Sequence, residues 1–221
     1  MSATPSRAHG ATEPETLILA VAQAAAALAR RGWTPATAGN FSVRVDADAF
    51  AVTVSGADKG RLGPTDFIRM DLAGRTRDAR TPSAEASLHA QLYRLFPAVG
   101  AILHTHSLTQ TVASRHAAAQ GSVRLAGYEL VKALAGHRTH EQDLLLPVFP
   151  NSQDMGEIER AVQAWFDGGR PLHAYLIAGH GLYAWGRDVA EALRHIEAID
   201  FMLACELELR KLSHEPTAHL R

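Results

Sequence analysis

The sequence is poor in cysteine, in long apolar runs and in excess charge of either sign. It has one cysteine, Cys205, which excludes an internal disulfide and a zinc site built from several cysteines, and which favours a reducing cytoplasm. The longest apolar run, 17–28, is interrupted by Gln23 and is too short to cross a bilayer. Lys and Arg number 22 against 23 Asp and Glu, a net charge of -1. We therefore expect neither nucleic acid nor a membrane as the main partner.

The sequence does contain enough apolar residues for one large domain, and many histidines. Of its 221 residues 47% are hydrophobic, so a sizeable core is expected. Residues 1–16 are polar and lack an apolar signal segment, so we expect a disordered leader there and a single domain over 17–221. The 12 histidines are informative only where they cluster. A net charge near zero does not exclude a small anionic substrate, because such a substrate needs only a few local hydrogen-bond donors.

Helical and strand patterns alternate along the chain without the regular rhythm of parallel βαβ units. Helices are predicted at 13–31, 83–96, 107–116, 129–134, 155–166 and 188–212. Strands are predicted at 41–45, 51–55, 67–71, 98–106, 144–148, 174–178 and 182–185. Some neighbouring strands have hairpin-like connections. The pattern predicts an α/β fold of three αβα layers with a central, mainly antiparallel sheet.

Histidines follow two of the apolar strands. His104 and His106 lie two apart, so on a strand both imidazoles face the same side and can reach one ion. Alone, this pair is equally compatible with two unrelated polar residues at a strand end. His180 stands between two glycines after another strand, which alone is an ordinary tight turn. Together the three suit a catalytic zinc, whereas a structural zinc is disfavoured because three ligands leave one position open.

Three glycine-bearing or helix-starting loops offer donors for an anion. Ser83 begins a helix, where it either binds a phosphate oxygen or only caps the helix. Glu85 in the same first turn is compatible with a metal ligand, a base or a partner of the helix dipole. The turns 38–40 and 55–60, the second with Lys59, add further donors.

These motifs, in this order, resemble the class II aldolase/adducin family. The matching stretches are Thr37–Arg44, Val54–Gly56, Pro82–Glu85, His104–His106 and Gly179–Gly181. They extend over nearly the whole of 17–212, and their combination is more specific than any one of them. Four stretches look more like the dehydratase members than the sugar-phosphate aldolases: Ser55–Leu62, Leu103–Ser107, Gly127–Lys132 and Pro150–Asp154.

The resemblance implies a class II aldolase-like catalytic domain with one Zn²⁺ per subunit, held by His104, His106 and His180. It implies that Glu85 alternates between ligand and base and that Glu129 is the general acid/base; without the resemblance, Glu129 reads equally as a helix cap or a solvated residue. The phosphate-binding loops would contain Gly39, Asn40, Ser55, Gly56, Lys59 and Ser83. Many members have a second small hydroxyl residue after the serine, where this chain has Ala84, so Lys59 is expected to matter more.

The resemblance also implies a substrate, an assembly and a chemistry. We expect a small phosphorylated ketose, a fourfold homotetramer with active sites near subunit interfaces, and zinc-assisted formation of an enediolate followed by loss of water. A sugar-phosphate aldolase or epimerase, using the same metal, is the first alternative. A non-catalytic adducin-like module is the second, and it predicts missing ligands, whereas all three histidines are present.

Overall fold

The computed structural model describes residues 14–169 and 172–214. Five α-helices lie in these ranges: α1 (Pro14–Arg30), α2 (Ala86–Leu95), α3 (Leu108–His116), α4 (Met155–Phe166) and α5 (Val189–His214). Most of the predicted leader, residues 1–13, lies outside the described residues. Residues 14–16, also assigned to that leader, instead form the first turn of α1.

Eight strands form one sheet in the described part of the chain. They are β1 (Asn40–Arg44), β2 (Ala49–Thr53), β3 (Phe67–Asp71), β4 (Ala101–Thr105), β5 (Ser122–Leu125), β6 (Leu144–Phe149), β7 (Ala174–Ile177) and β8 (Gly181–Gly186). Their order is β3-β2-β1-β4-β8-β7-β6-β5, and every pair is antiparallel except β6 with β7. The predicted mainly antiparallel α/β sheet is therefore confirmed.

Helices cover both faces of the sheet. Helices α2 and α4 pack together on one face, where Phe96 and Phe166 contact Trp185 of β8 at ring-centroid distances of 5.4 and 5.7 Å. Helices α1, α3 and α5 pack on the other, with α5 along β8 and β4. The central strands are buried throughout, as expected for a sheet between two apolar layers.

The structure differs from the sequence prediction in three elements. Strand β5 is absent from the predicted strands, because four residues of mixed polarity at a sheet edge give a weak pattern. The predicted helix 129–134 is a 3-10 turn, Glu129–Ala133. Helix α2 begins at Ala86 rather than Ser83, because the chain at 82–83 still pairs with 53–54 at the edge of the sheet. None of the helices in the described ranges combines the length and apolar character that a membrane span requires.

Candidate metal centre

Three histidines from two distant parts of the chain converge at one end of the sheet. The ligand nitrogens of His104, His106 and His180 all lie within 4.8 Å of one another. Strand β4 ends at Thr105 and β8 begins at Gly181, and the two strands pair side by side. A Cβ on Gly181 would stand 2.1 Å from the carbonyl oxygen of Thr105, so only glycine allows this approach. The glycine thus brings His180 to the other two imidazoles.

Hydrogen bonds orient the rings. Nδ1–H of His104 donates to the carbonyl of Leu182 at 3.1 Å, which leaves Nε2 free to face the cluster. Nδ1 of His180 lies 3.2 Å from Oδ1 of Asn151, an acceptor, which fixes the same tautomer there. Metal-binding histidines in proteins usually have such a partner on the second nitrogen.

The rings of His104 and His106 are held in the neutral form that binds a metal. Burial lowers the pKa of His104 well below its ordinary value. Burial also lowers the pKa of His106 to about 4, with the neighbouring His180 acting in the same direction. Both rings are therefore neutral near pH 7, with no proton for a metal ion to displace.

The carboxylate of Glu85 completes the cluster. Its Oε1 lies 3.2 Å from Nε2 of His180 and its Oε2 lies 3.3 Å from Nε2 of His104. Oε2 also accepts hydrogen bonds from Nδ2 of Asn40 at 2.7 Å and from the Tyr183 hydroxyl at 2.8 Å. Oε2 is thus anchored by two donors, and both oxygens lie beside the histidines. This position suits both a fourth metal ligand and a base beside the metal.

The donor set fits a divalent cation of the zinc type. Zn²⁺ takes imidazole nitrogens at about 2.0–2.1 Å and carboxylate oxygens at similar distances. Nε2 of His104 and Nε2 of His106 lie 2.8 Å apart, close enough for a single ion to bind both. His104, His106 and His180 would therefore hold the metal, with Glu85 at its edge.

The loops assigned to phosphate binding lie side by side. The backbone N–H of Ser55 donates to Thr81 at 3.1 Å, and that of Ser83 donates to Thr53 at 3.2 Å. The turn at Ser55 and Gly56 therefore borders Ser83. The positive φ of Gly56, 73°, lets this turn bend without strain.

Lys59 links these loops to the one before β1. Its side chain is buried, and Nζ donates to the carbonyls of Thr37 at 2.8 Å and Ala57 at 2.6 Å. Burial lowers the pKa of Lys59, because the charged ammonium is less stable away from water. A bound anion would stabilise that charge. An ammonium group has three N–H donors, and these two bonds leave one for a ligand.

Gly39 and Asn40 belong to the same region but differ in role. A Cβ on Gly39 would stand 2.6 Å from the carbonyl oxygen of His104, and its φ is +83°. Glycine is therefore needed for the loop to pass the metal-binding strand. The amide of Asn40 is directed at Glu85 and His89 rather than at the loop of Ser55.

Glu129 lies apart from the histidines in its own chain. Its carboxylate forms an ion pair with Lys132, lies 3.6 Å from Nδ1 of His140, and is 70% exposed. Among the described residues no contact joins it to the three histidines. It follows β5, which is four strand positions from β4, or about 19 Å at the usual spacing.

Sequence reasoning missed three residues that shape this site. They are Tyr183, His89 and Asn151, none of which was assigned a role. Tyr183 is the register partner of His104 on β8, and the two rings stack at 4.0 Å. Strand register brings these two residues together, and no local pattern in the sequence reveals it. The stretch 150–154, which contains Asn151, does resemble the dehydratase members of the family. That resemblance does not indicate which residue Asn151 contacts.

The fold and the cluster define a class II aldolase-type domain with a three-histidine site that could hold a metal ion. A family model described as "Class II Aldolase and Adducin N-terminal domain" matches residues 19–207, and the chain belongs to this family. It is 56% identical over 187 residues to a protein of Stenotrophomonas maltophilia (strain R551-3) named methylthioribulose-1-phosphate dehydratase, covering 84% of this chain and 87% of that protein. A protein of the same name from Xylella fastidiosa (strain Temecula1) is 49% identical over 210 residues, covering 95% and 96%.

Solved structures share the fold. The L-fuculose-1-phosphate aldolase of Thermus thermophilus superposes with a TM-score of 0.72 at 26% identity, covering 92% of this chain and 98% of that one. YgbL of Escherichia coli superposes with a TM-score of 0.76 at 22% identity, covering 94% and 93%. The similarity thus extends over nearly the whole chain.

Proposed function

We propose that the chain is a zinc-dependent hydro-lyase that dehydrates 5-methylthioribulose 1-phosphate to 2,3-diketo-5-methylthiopentyl 1-phosphate, a cytoplasmic step of methionine salvage. The observation that carries the proposal is the convergence of His104, His106, His180 and Glu85. The extended similarity to two proteins named for this activity supports the choice of reaction.

Two groups of residues would bind the two ends of the substrate. Lys59, Ser55 and Ser83 bind the phosphate through the remaining ammonium donor, the hydroxyls and the backbone of the adjoining turns. The histidine cluster receives the carbonyl end. When bound, zinc would polarise the C2 carbonyl and make the proton on C3 more acidic. Binding at both ends holds C3 in a fixed place, which lowers the entropic part of the barrier.

The reaction then needs one base and one acid. A carboxylate removes the proton from C3, and the electron pair shifts into the C2 carbonyl. The C4–O bond breaks, and the hydroxide leaves as water after taking a proton. The resulting enol ketonises by losing its O–H proton and gaining one at C4, which gives the diketone. Glu85 is the carboxylate that this chain itself places at the site.

We propose Glu129 as the second acid/base, acting in a neighbouring subunit of a homotetramer. Its exposure and its separation from the histidines of its own chain favour a role across an interface. Lys132 and His140 stabilise its charged form: the hydrogen bond from Lys132 is the main cause that lowers the pKa of Glu129. An interface would supply the burial that a general acid needs.

A substrate panel tests the proposal. The zinc-loaded enzyme is assayed with 5-methylthioribulose 1-phosphate, L-fuculose 1-phosphate and L-ribulose 5-phosphate, with the products identified by mass spectrometry. We expect loss of one water from the first compound, and no turnover of the others. Cleavage or epimerisation of the other two without dehydration would favour the aldolase or epimerase alternative. No turnover at all, with zinc bound, would favour the non-catalytic module.

A further inference from the structure

A line of buried polar side chains runs from Glu85 into the layer between the sheet and α2. Nδ2 of Asn40 donates to Glu85, and Oδ1 of the same amide contacts Nε2 of His89. Nδ1 of His89 lies 2.6 Å from Oγ of Ser42, which lies 2.9 Å from the hydroxyl of Tyr93. The four residues beyond Glu85 are at most 4% exposed.

The direction of every hydrogen bond in this line can be assigned. A carboxylate only accepts, so the nitrogen of the Asn40 amide faces Glu85 and its oxygen faces His89. Nε2 of His89 must then donate to that oxygen. In a neutral imidazole Nδ1 is the acceptor, so the Ser42 hydroxyl donates to it and accepts from the Tyr93 hydroxyl.

His89 is suited to hold this arrangement. Its side chain is completely buried, and burial lowers the pKa of His89 to about 3, which keeps the ring neutral. Its ring also packs edge-on against Tyr183 at a centroid distance of 5.6 Å. His89 therefore contacts both donors of the anchored oxygen of Glu85.

We propose that His89 is a positioning residue of the active site, which fixes the amide of Asn40 so that it holds the Glu85 carboxylate against the metal centre. The proposal rests on the proposed function, because it gives that carboxylate a catalytic task. Glu85 selects the nitrogen of the Asn40 amide, but it does not by itself fix the position of that amide. Without the His89 N–H, the amide oxygen is left buried without a partner, so the amide is expected to shift away from Glu85.

The first test compares His89→Leu with His89→Gln, and uses His116→Leu as an exposed control. His89→Leu should lower kcat about 10–100-fold, the range typical for partners behind a metal site, while bound zinc stays at one per subunit. KM should change less than about threefold, because the phosphate loops are untouched. His89→Gln restores an N–H near Nε2 and should stay within about fivefold of wild type. A His89→Leu enzyme with kcat near wild type and bound zinc would overturn the proposal.

A double-mutant cycle separates positioning from general destabilisation. If His89 acts through Asn40, His89→Leu added to Asn40→Ala should cost less than about threefold in kcat beyond Asn40→Ala alone. Independent, multiplying effects would overturn the proposal. If His89→Leu fails to fold, Ser42→Ala takes its place in the same cycle. It removes the donor to Nδ1 and should lower kcat about 3–10-fold, and wild-type turnover would count against the proposal.

A crystal structure of the metal-free His89→Leu protein tests the proposal without an activity assay. The Asn40 nitrogen should move beyond about 3.5 Å from Glu85 Oε2. An unchanged Asn40–Glu85 hydrogen bond would overturn the proposal. The crystal structure also separates the proposed function from the role of His89. A wild-type enzyme that does not dehydrate the thiosugar phosphate refutes the proposed function. The geometry of Asn40 in the variant decides the role of His89.

Discussion

The hydroxyl of Tyr183 donates a 2.8 Å hydrogen bond to Oε2 of Glu85. Burial raises the pKa of Tyr183 well above its ordinary value, and the nearby Glu85 charge adds to this, so the phenol is protonated and remains a donor near neutral pH. The same ring stacks on His104 at 4.0 Å with an interplanar angle of 15°. One side chain thus orients both the ring of His104 and the adjacent carboxylate.

Replacing Tyr183 with Phe keeps the stacked ring and removes only the hydroxyl. The carboxylate of Glu85 then has one hydrogen-bond donor fewer to hold it in position. We expect kcat to fall about 3–30-fold and bound zinc to be unchanged. Steady-state kinetics and zinc analysis measure both. An unchanged kcat would show that the hydroxyl has no influence on the carboxylate.

Lys59→Met should weaken binding of the phosphate. The substitution keeps an apolar stem of similar length and removes the ammonium that faces the phosphate loops. KM for the phosphorylated ketose should rise at least about tenfold, since a charge-assisted hydrogen bond to an anion contributes roughly 1.5–3 kcal/mol. The dephosphorylated ketose is the control, because both enzymes should use it equally poorly. A similar loss with both substrates would assign Lys59 to folding of the loop rather than to phosphate.

Glu129 is tested by mixing inactive subunits. His106→Ala cannot hold the metal and Glu129→Gln lacks the proposed acid/base, so each homotetramer should be inactive. In co-expressed hybrids, a zinc-binding Glu129→Gln subunit beside a His106→Ala subunit has a complete site if Glu129 acts across the interface. Random assortment should then restore about a quarter of wild-type activity. No recovery in verified hybrids would place the function of Glu129 within its own subunit, or remove it.

Two buried histidines away from the metal ligands predict acid sensitivity of the metal-free protein. Burial lowers the pKa of His89 to about 3 and that of His195 to about 4, from 6.5. Below about pH 6.5 the unfolded chain gains protons that the folded chain does not. The free energy of unfolding should therefore fall with pH between about 6.5 and 4.5, by about 1.4 kcal/mol per pH unit for each such histidine.

Urea unfolding at fixed protein concentration measures this slope. His195→Gln should flatten it by about that amount per pH unit, because a glutamine does not titrate. His116→Gln, at an exposed position, should leave the slope unchanged. Parallel curves for wild type and His195→Gln would contradict the assignment of a buried neutral ring.

The sheet could be predicted from the sequence because its central strands are apolar runs bounded by glycine and proline. Strand 67–71 and helix 155–166 have the predicted bounds, since clear turn or capping residues flank them. Strand β5 was missed because S-V-R-L alternates as a strand does but is only four residues long. The start of α2 was misplaced because the residues before it pair with 53–54 of the sheet, a long-range contact that the local sequence does not show.

At the site, the residue types and their order predicted candidate functional side chains. They predicted fewer of the contacts between those side chains. The two-residue spacing of His104 and His106 carried geometric information, because a strand turns both to one face. The contact of Tyr183 with Glu85, 98 residues apart, joins β8 to the start of α2, and a single sequence does not encode it locally. The distance of Glu129 from the histidines of its own chain was likewise not predictable from the sequence.

The most direct test of the account is anomalous diffraction at the zinc edge from zinc-loaded crystals, with His106→Ala crystals as the control. The account predicts one peak per subunit, about 2.0–2.1 Å from Nε2 of His104, His106 and His180, and loss of that peak in the variant. A zinc-loaded wild-type crystal with no peak among these nitrogens, or with its peak at other residues, would contradict it.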